Sequence, residues 1–157
     1  MTITPKQLYT VVATAEMVTW TGLIIAMIAR YGFGYEGGLF FVAGLSHGII
    51  FITYWVTSVT IGINLRWGFG TIIVALLAAI PPWLTLPVDR WLLKKGKLDA
   101  PWRLEGATTT QDFGFLDRLI RWWISRPWLY LVVMVATMTV VISVLLKLGS
   151  PTEWGSN

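Results

Sequence analysis

The sequence predicts an all-α fold: a polytopic membrane helix bundle with a three-span core, an amphipathic interfacial helix and a fourth transmembrane helix. Three observations predict it. Of 157 residues, 55% are hydrophobic and only 13% charged, and the mean hydropathy is +0.67, outside the range of ordinary soluble domains. Four apolar runs of about 20 residues, at about 1.5 Å per residue, can each cross a hydrocarbon core of roughly 30 Å. Charged residues fall almost entirely between those runs. A soluble helical protein would need a polar face on each helix, and these runs have none.

The first run, residues 8–29, holds one charge, Glu16. Lys6 is the only basic residue before it, and the run is longer than the apolar segment of a cleaved leader, so this span is expected to remain in the mature protein. The second run, 38–63, contains no charged residue. The third, 69–88, is also uncharged but holds Pro81, Pro82 and Pro87. Missing N–H groups there predict a kink or break whose freed carbonyls need donors. Short turns at 31–37 and 64–68 make consecutive helices antiparallel neighbours, so residues 1–97 form a three-span membrane unit.

Residues 98–111 have the composition of an exposed cytoplasmic linker. Residues 112–126 project as an amphipathic helix, with Phe113, Leu116, Leu119, Ile120, Trp123 and Ile124 on one face and Asp117, Arg118, Arg121 and Ser125 on the other. Such a helix lies in the interface plane. Tryptophans Trp122 and Trp123 suit headgroup depth, and Arg118, Arg121 and Arg126 suit lipid phosphates or a docked partner. Residues 127–148 supply the fourth span, and 149–157 a short polar tail.

If all four runs cross, Arg30, Arg90, Lys94, Lys95, Lys97, Arg103, Arg118, Arg121 and Arg126 share one side, against Lys6, Arg66 and Lys147 on the other. Basic residues are retained in the cytoplasm, so both termini are expected to be extracytoplasmic. The net charge of +4 then implies anionic lipids at the cytoplasmic face rather than nucleic acid, for which no motif is present. Cysteine is absent, which excludes disulfides and thiolate chemistry. No phosphate-binding loop, dinucleotide fingerprint or nucleophile elbow occurs.

The ionisable residues inside the spans carry the functional reading. Glu16 lies about eight residues into the first run, roughly 12 Å deep, where a carboxylate without a partner is strongly disfavoured. His47, the single histidine, falls within one helical turn of that depth on the antiparallel second run. The two are expected to meet. Ser46 and Tyr54 extend the candidate intramembrane polar site with hydroxyls. Gly22 with Ala26, and Gly44 with Gly48, have the spacing that lets helices approach closely.

The segments AEMVTW at 15–20 and GLSHGIIFITY at 44–54, Arg30-Tyr31 and Arg66-Trp67 at the turns, and the proline-broken third run leading into Asp89-Arg90 resemble the YdzA-like bacterial integral membrane family, domain of unknown function 3817. The resemblance covers residues 8 to about 97. It implies a multi-pass protein of the bacterial cell membrane, with Glu16, Gly44, His47 and Gly48 as signature positions, and implies no activity.

Three classes of function follow. Small size, few polar groups and the added anchor favour a non-catalytic accessory or assembly subunit of a larger membrane complex, with a protein partner in the membrane or a second copy of itself. The alternative is a small proton-coupled carrier using Glu16 and His47. An enzyme is not expected. One histidine and no cysteine make neither an ordinary zinc site nor a bis-histidine haem site within one chain, so no metal or cofactor is expected.

Overall fold

The computed structural model describes residues 3–103 and 115–148. Helix α1, Pro5–Met27, starts where local chemistry dictates. The Gln7 backbone N–H donates to Thr4 Oγ1 at 3.2 Å and the Thr4 N–H to Gln7 Oε1 at 3.0 Å. This reciprocal cap satisfies two otherwise free donors, and Pro5 takes the first helical position, where its missing N–H costs nothing. At its far end α1 widens into a π-turn, Ile28–Gly32.

Helix α2, Leu39–Asn64, returns antiparallel along α1. Pro5–Gly32 and Leu39–Asn64 are the two helices, among the described residues, long and apolar enough to cross a membrane. At the end of α2 the Trp67 N–H donates to the Gly62 carbonyl at 2.8 Å, and Arg66 takes the left-handed conformation at φ 54°. That closure turns the chain sharply. A Cβ on Gly62 would stand 2.8 Å from Ile72, so glycine is what lets the next helix press against α2 here.

The third run, expected as one span, is folded back on itself. It forms α3, Phe69–Leu77, a tight reversal over residues 78–84, and α4, Thr85–Lys94, which runs back the way α3 came. Three contacts fix the direction of return along α1. The Trp20 indole donates to the Ala79 carbonyl at 3.0 Å, the Thr85 hydroxyl to the Ala13 carbonyl at 3.1 Å, and the Thr10 hydroxyl to Asp89 at 3.1 Å. As residue number rises from 79 to 89, the partner on α1 falls from 20 to 10. Helices α3 and α4 therefore make a hairpin entered and left on the side of the N-terminus. Its tip reaches roughly 20 Å along α1 from Pro5 at about 1.5 Å per residue.

Prolines explain the reversal only in part. Pro81 and Pro82 lie in it, where neither can donate the bond that would continue α3. Pro87 was expected to break the helix too, yet it lies in the first turn of α4, where backbone N–H groups have no intrahelical partner. Asp89, at the end of the third run, is buried and bound by Thr10.

Helix α4 ends as α2 does. Gly96 takes φ 65° and the Lys97 N–H donates to the Leu92 carbonyl at 3.0 Å. The Trp67 indole then donates to the Lys97 carbonyl at 2.8 Å, tying the two helix ends together. The core fills the wedge between α1, α2 and the hairpin, with Tyr9, Ala13, Tyr54, Ile61, Ala75 and Leu92 all fully buried.

The expected exposed linker begins later than residue 98. Leu98 is buried, the Trp102 indole donates to the Ile3 carbonyl at 2.7 Å, and Arg103 binds Asn64 through its backbone N–H and its guanidinium. Residues 98–103 are thus pinned to the N-terminal end of the bundle. Residues 104–111, with the tail at 149–157, lie outside the described residues. Helix α5, Phe115–Ile124, and helix α6, Pro127–Leu148, follow; α5 packs against α2 with Ile124 buried.

Candidate functional site

One stripe of α1 carries the buried polar chemistry. Tyr9, Ala13, Glu16 and Trp20 recur every three to four residues and so share a face, which meets α2 along His47, Phe51, Tyr54, Ser58 and Ile61. Helix α4 covers the shallow end of the seam with Thr85, Asp89 and Leu92, all buried.

Glu16 lies at the deep end and is 0% exposed. Neither of its carboxyl oxygens has a hydrogen-bond partner. The nearest charged or chargeable group is His47, whose Nδ1 stands 3.7 Å from Glu16 Oε2. That separation is beyond a hydrogen bond, so the contact is electrostatic. Thr19 touches the backbone of one and the ring of the other. Its hydroxyl donates to the Glu16 carbonyl at 3.0 Å, and its oxygen stands 3.3 Å from His47 Nδ1. The Trp20 ring lies against the imidazole at 4.4 Å between centroids, with Phe51 at 6.1 Å on the same ring.

Of the residues singled out by sequence, the structure brings Glu16 and His47 together. It leaves Ser46 exposed, outside the pair. Tyr54 is buried, but its hydroxyl pairs with that of Tyr9 at 2.7 Å, with Ser58 beside them. The seam thus has two polar centres, Glu16 with His47 and, nearer the N-terminal end, Tyr9 with Tyr54.

Close packing at the glycines is corrected. A Cβ built on Gly22, Gly44 or Gly48 meets nothing within 4 Å, so none is a point of close approach inside this chain, while Ala26 is buried. The reason is geometric. Glycine relieves a clash only where a neighbour arrives, and here α3 arrives at Gly62 instead. On α5, Arg118 and Trp122 are exposed, Trp123 is half-buried, and the Arg126 guanidinium stands 5.0 Å over the Trp122 ring. The side chain of Arg121 lies outside the described residues.

Tyr9, Thr10, Trp20 and Thr85 were not anticipated. The 3–4 residue spacing from Glu16 marks Tyr9 and Trp20 as neighbours on its face, whereas Thr10 and Thr85 matter only because the hairpin doubles back. Among the described residues no group of three His, Cys, Asp or Glu side chains could hold a metal ion.

A family model described as a domain of unknown function, DUF3817, matches residues 6–94. A relative from Streptomyces coelicolor named "Putative membrane protein" is 38% identical over 95 residues, which take up 59% of this chain. The matched stretch is only 11% of that relative's length. No solved structure matches the chain.

Proposed function

We propose that this chain, which belongs to the DUF3817 family and is a membrane protein, is a non-catalytic accessory subunit that docks against a larger membrane assembly. One observation carries the reading: the same unit occurs as 11% of a far longer membrane relative. A module that works as a small part of one long chain elsewhere suits attachment, as a separate chain, to a similar partner here. Large apolar side chains facing outward on α1, α2 and α6, such as Ile25, Phe41 and Val135, supply surface for lipid or partner.

The hairpin supports an orientation opposite to the one expected from four crossings. With α3 and α4 entering and leaving on one side, Lys6, Arg66, Arg90, Lys94, Lys95, Lys97 and Arg103 all stand at the N-terminal side of the bundle, and Arg30 alone of the basic residues up to 103 stands at the other. Seven against one supports an N-terminus in the cytoplasm. Helix α5 then offers Arg118 and Arg126 to anionic headgroups of the same leaflet, and α6 crosses as the third span to an outer C-terminus.

Two measurements test this. Purification in mild detergent is expected to recover a reproducible membrane partner, and a monodisperse particle of this chain alone would defeat the accessory role. Because the chain has no cysteine, single cysteines report sidedness without background. Gln7→Cys and Lys95→Cys are expected to react with an impermeant thiol reagent from the cytoplasmic side and Glu36→Cys from the other. Lys95→Cys and Glu36→Cys reacting from one side would mean that the third run crosses after all.

A further inference from the structure

We propose that Glu16 and His47 form an intramembrane proton-binding site that holds one shared proton and exchanges it through the outer edge of the imidazole. The inference is independent of what the chain docks against.

The first ground is the unmet chemistry of Glu16. Its carboxyl is fully buried and both oxygens lack a donor. A bare carboxylate in that place is costly, and no Lys or Arg occurs in α1 beyond Lys6, nor anywhere in α2 or α3. Titratable groups on the packed elements are Lys6 and Tyr9 of α1, Tyr54 of α2 and Asp89, Arg90 and Lys94 of α4; the three cations stand toward the N-terminal side of the bundle, and none is paired with Glu16. Tyr9 and Tyr54 are joined to each other and Asp89 to Thr10. Electroneutrality at Glu16 therefore requires one proton, either on its own carboxyl with a neutral imidazole, or on His47 as imidazolium beside the carboxylate. In the neutral form the imidazole carries its hydrogen on Nε2 and leaves Nδ1 bare; once the 3.7 Å between Nδ1 and Oε2 closes to hydrogen-bond distance, the carboxyl proton can pass to Nδ1 and interconvert the two forms with no change in net charge.

The second ground is how the imidazole is held. Thr19 has committed its proton to the Glu16 carbonyl, so its oxygen faces Nδ1 as an acceptor at 3.3 Å. In the imidazolium form Nδ1–H can donate to that oxygen, and Nε2 is left to release the exchanging proton or take it up. Trp20 lies against the ring, yet the side chain keeps 12% exposure where Glu16 has none. Gly44, one turn earlier on the same face, and the adjacent Gly48 have open space where a Cβ would stand. These glycines leave the outer edge of the imidazole unshielded, a use distinct from the helix packing their spacing first suggests.

The test uses the full chain in nanodiscs of phosphatidylcholine and phosphatidylglycerol. His47 is the single histidine, so ¹⁵N-histidine labelling yields one residue's resonances. Replacing Glu36, Glu105 and Glu153 with Gln leaves Glu16 as the only glutamate, so its ¹³C-carboxyl infrared band is likewise unique. The Glu16 carboxyl band and the His47 nitrogen shifts are expected to change together, with one midpoint and one proton per chain. In Glu16→Gln the His47 transition is expected to move by at least tenfold in proton concentration. Independent midpoints, or a Glu16 band that stays ionised while His47 stays neutral at every pH, would overturn the site. Should Glu16→Gln not fold, coincidence or separation of the two wild-type midpoints decides the matter alone.

Discussion

The two halves of the α1–α2 pair are built from similar residues and do different things. In the half nearer the N-terminus, the hairpin covers the seam and Tyr9, Ala13, Tyr54 and Ile61 are sealed from any solvent. In the far half, from about Gly22 to Val42, the hairpin no longer reaches, its last contacts being Trp20 with Ala79 and Thr21 with Trp83. Ile25 is 58% exposed and Phe41 72%, and Gly22 and Gly44 have no neighbour to make room for. Hydropathy does not distinguish the halves. What differs is that α3 and α4 reach only part of the way, so Glu16 and His47 stand at the border between a packed and an open region.

Substitutions matched across that border test the contrast. Ile61→Ala is expected to lower the stability of the isolated chain by about 3 kcal/mol, because the vacated space cannot refill, while Ile25→Ala should change it little; both are readable from denaturant unfolding in micelles. Gly62→Leu is expected to cost about 2 kcal/mol by driving Ile72 away. A tolerated leucine there would mean that α3 is not seated on α2. Trp20→Phe keeps the ring on His47 but leaves the Ala79 carbonyl without its donor, a loss of about 1 kcal/mol. It should also raise hydrogen exchange at the hairpin tip above that of α1. Gly44→Ala belongs at the bottom of the scale, within about 0.5 kcal/mol of wild type in the isolated chain. A clear loss in a purified complex but not in the isolated chain would locate the partner on the open half.

Much of this was legible before the fold was known. Run length and lack of charge mark α1 and α2 as membrane helices, and counting residues from the turns puts Glu16 and His47 at matching depth on antiparallel neighbours. Their meeting needs only helix rise and two short connections. The same count does not separate the alternatives for the third run, because length and hydropathy are equal for a helix that crosses and for two half-helices folded back on each other. Pro81 and Pro82 announce a break but not its angle. The angle is set by contacts far apart in sequence: Trp20 with Ala79, Ala13 with Thr85, and Thr10 with Asp89. Charge counting depends on the same point, since which side holds Arg90 to Lys97 depends on whether the preceding run crosses.

Composition and local pattern suffice to put this chain in hydrocarbon, because a helix without a polar face has nowhere else to go, and to pair an acid with an imidazole, because an isolated carboxylate there is so unfavourable. Whether a broken apolar segment passes through or turns back is a different kind of question. It depends on which distant donors meet the carbonyls freed at the break, and those partners are assembled only when the helices pack.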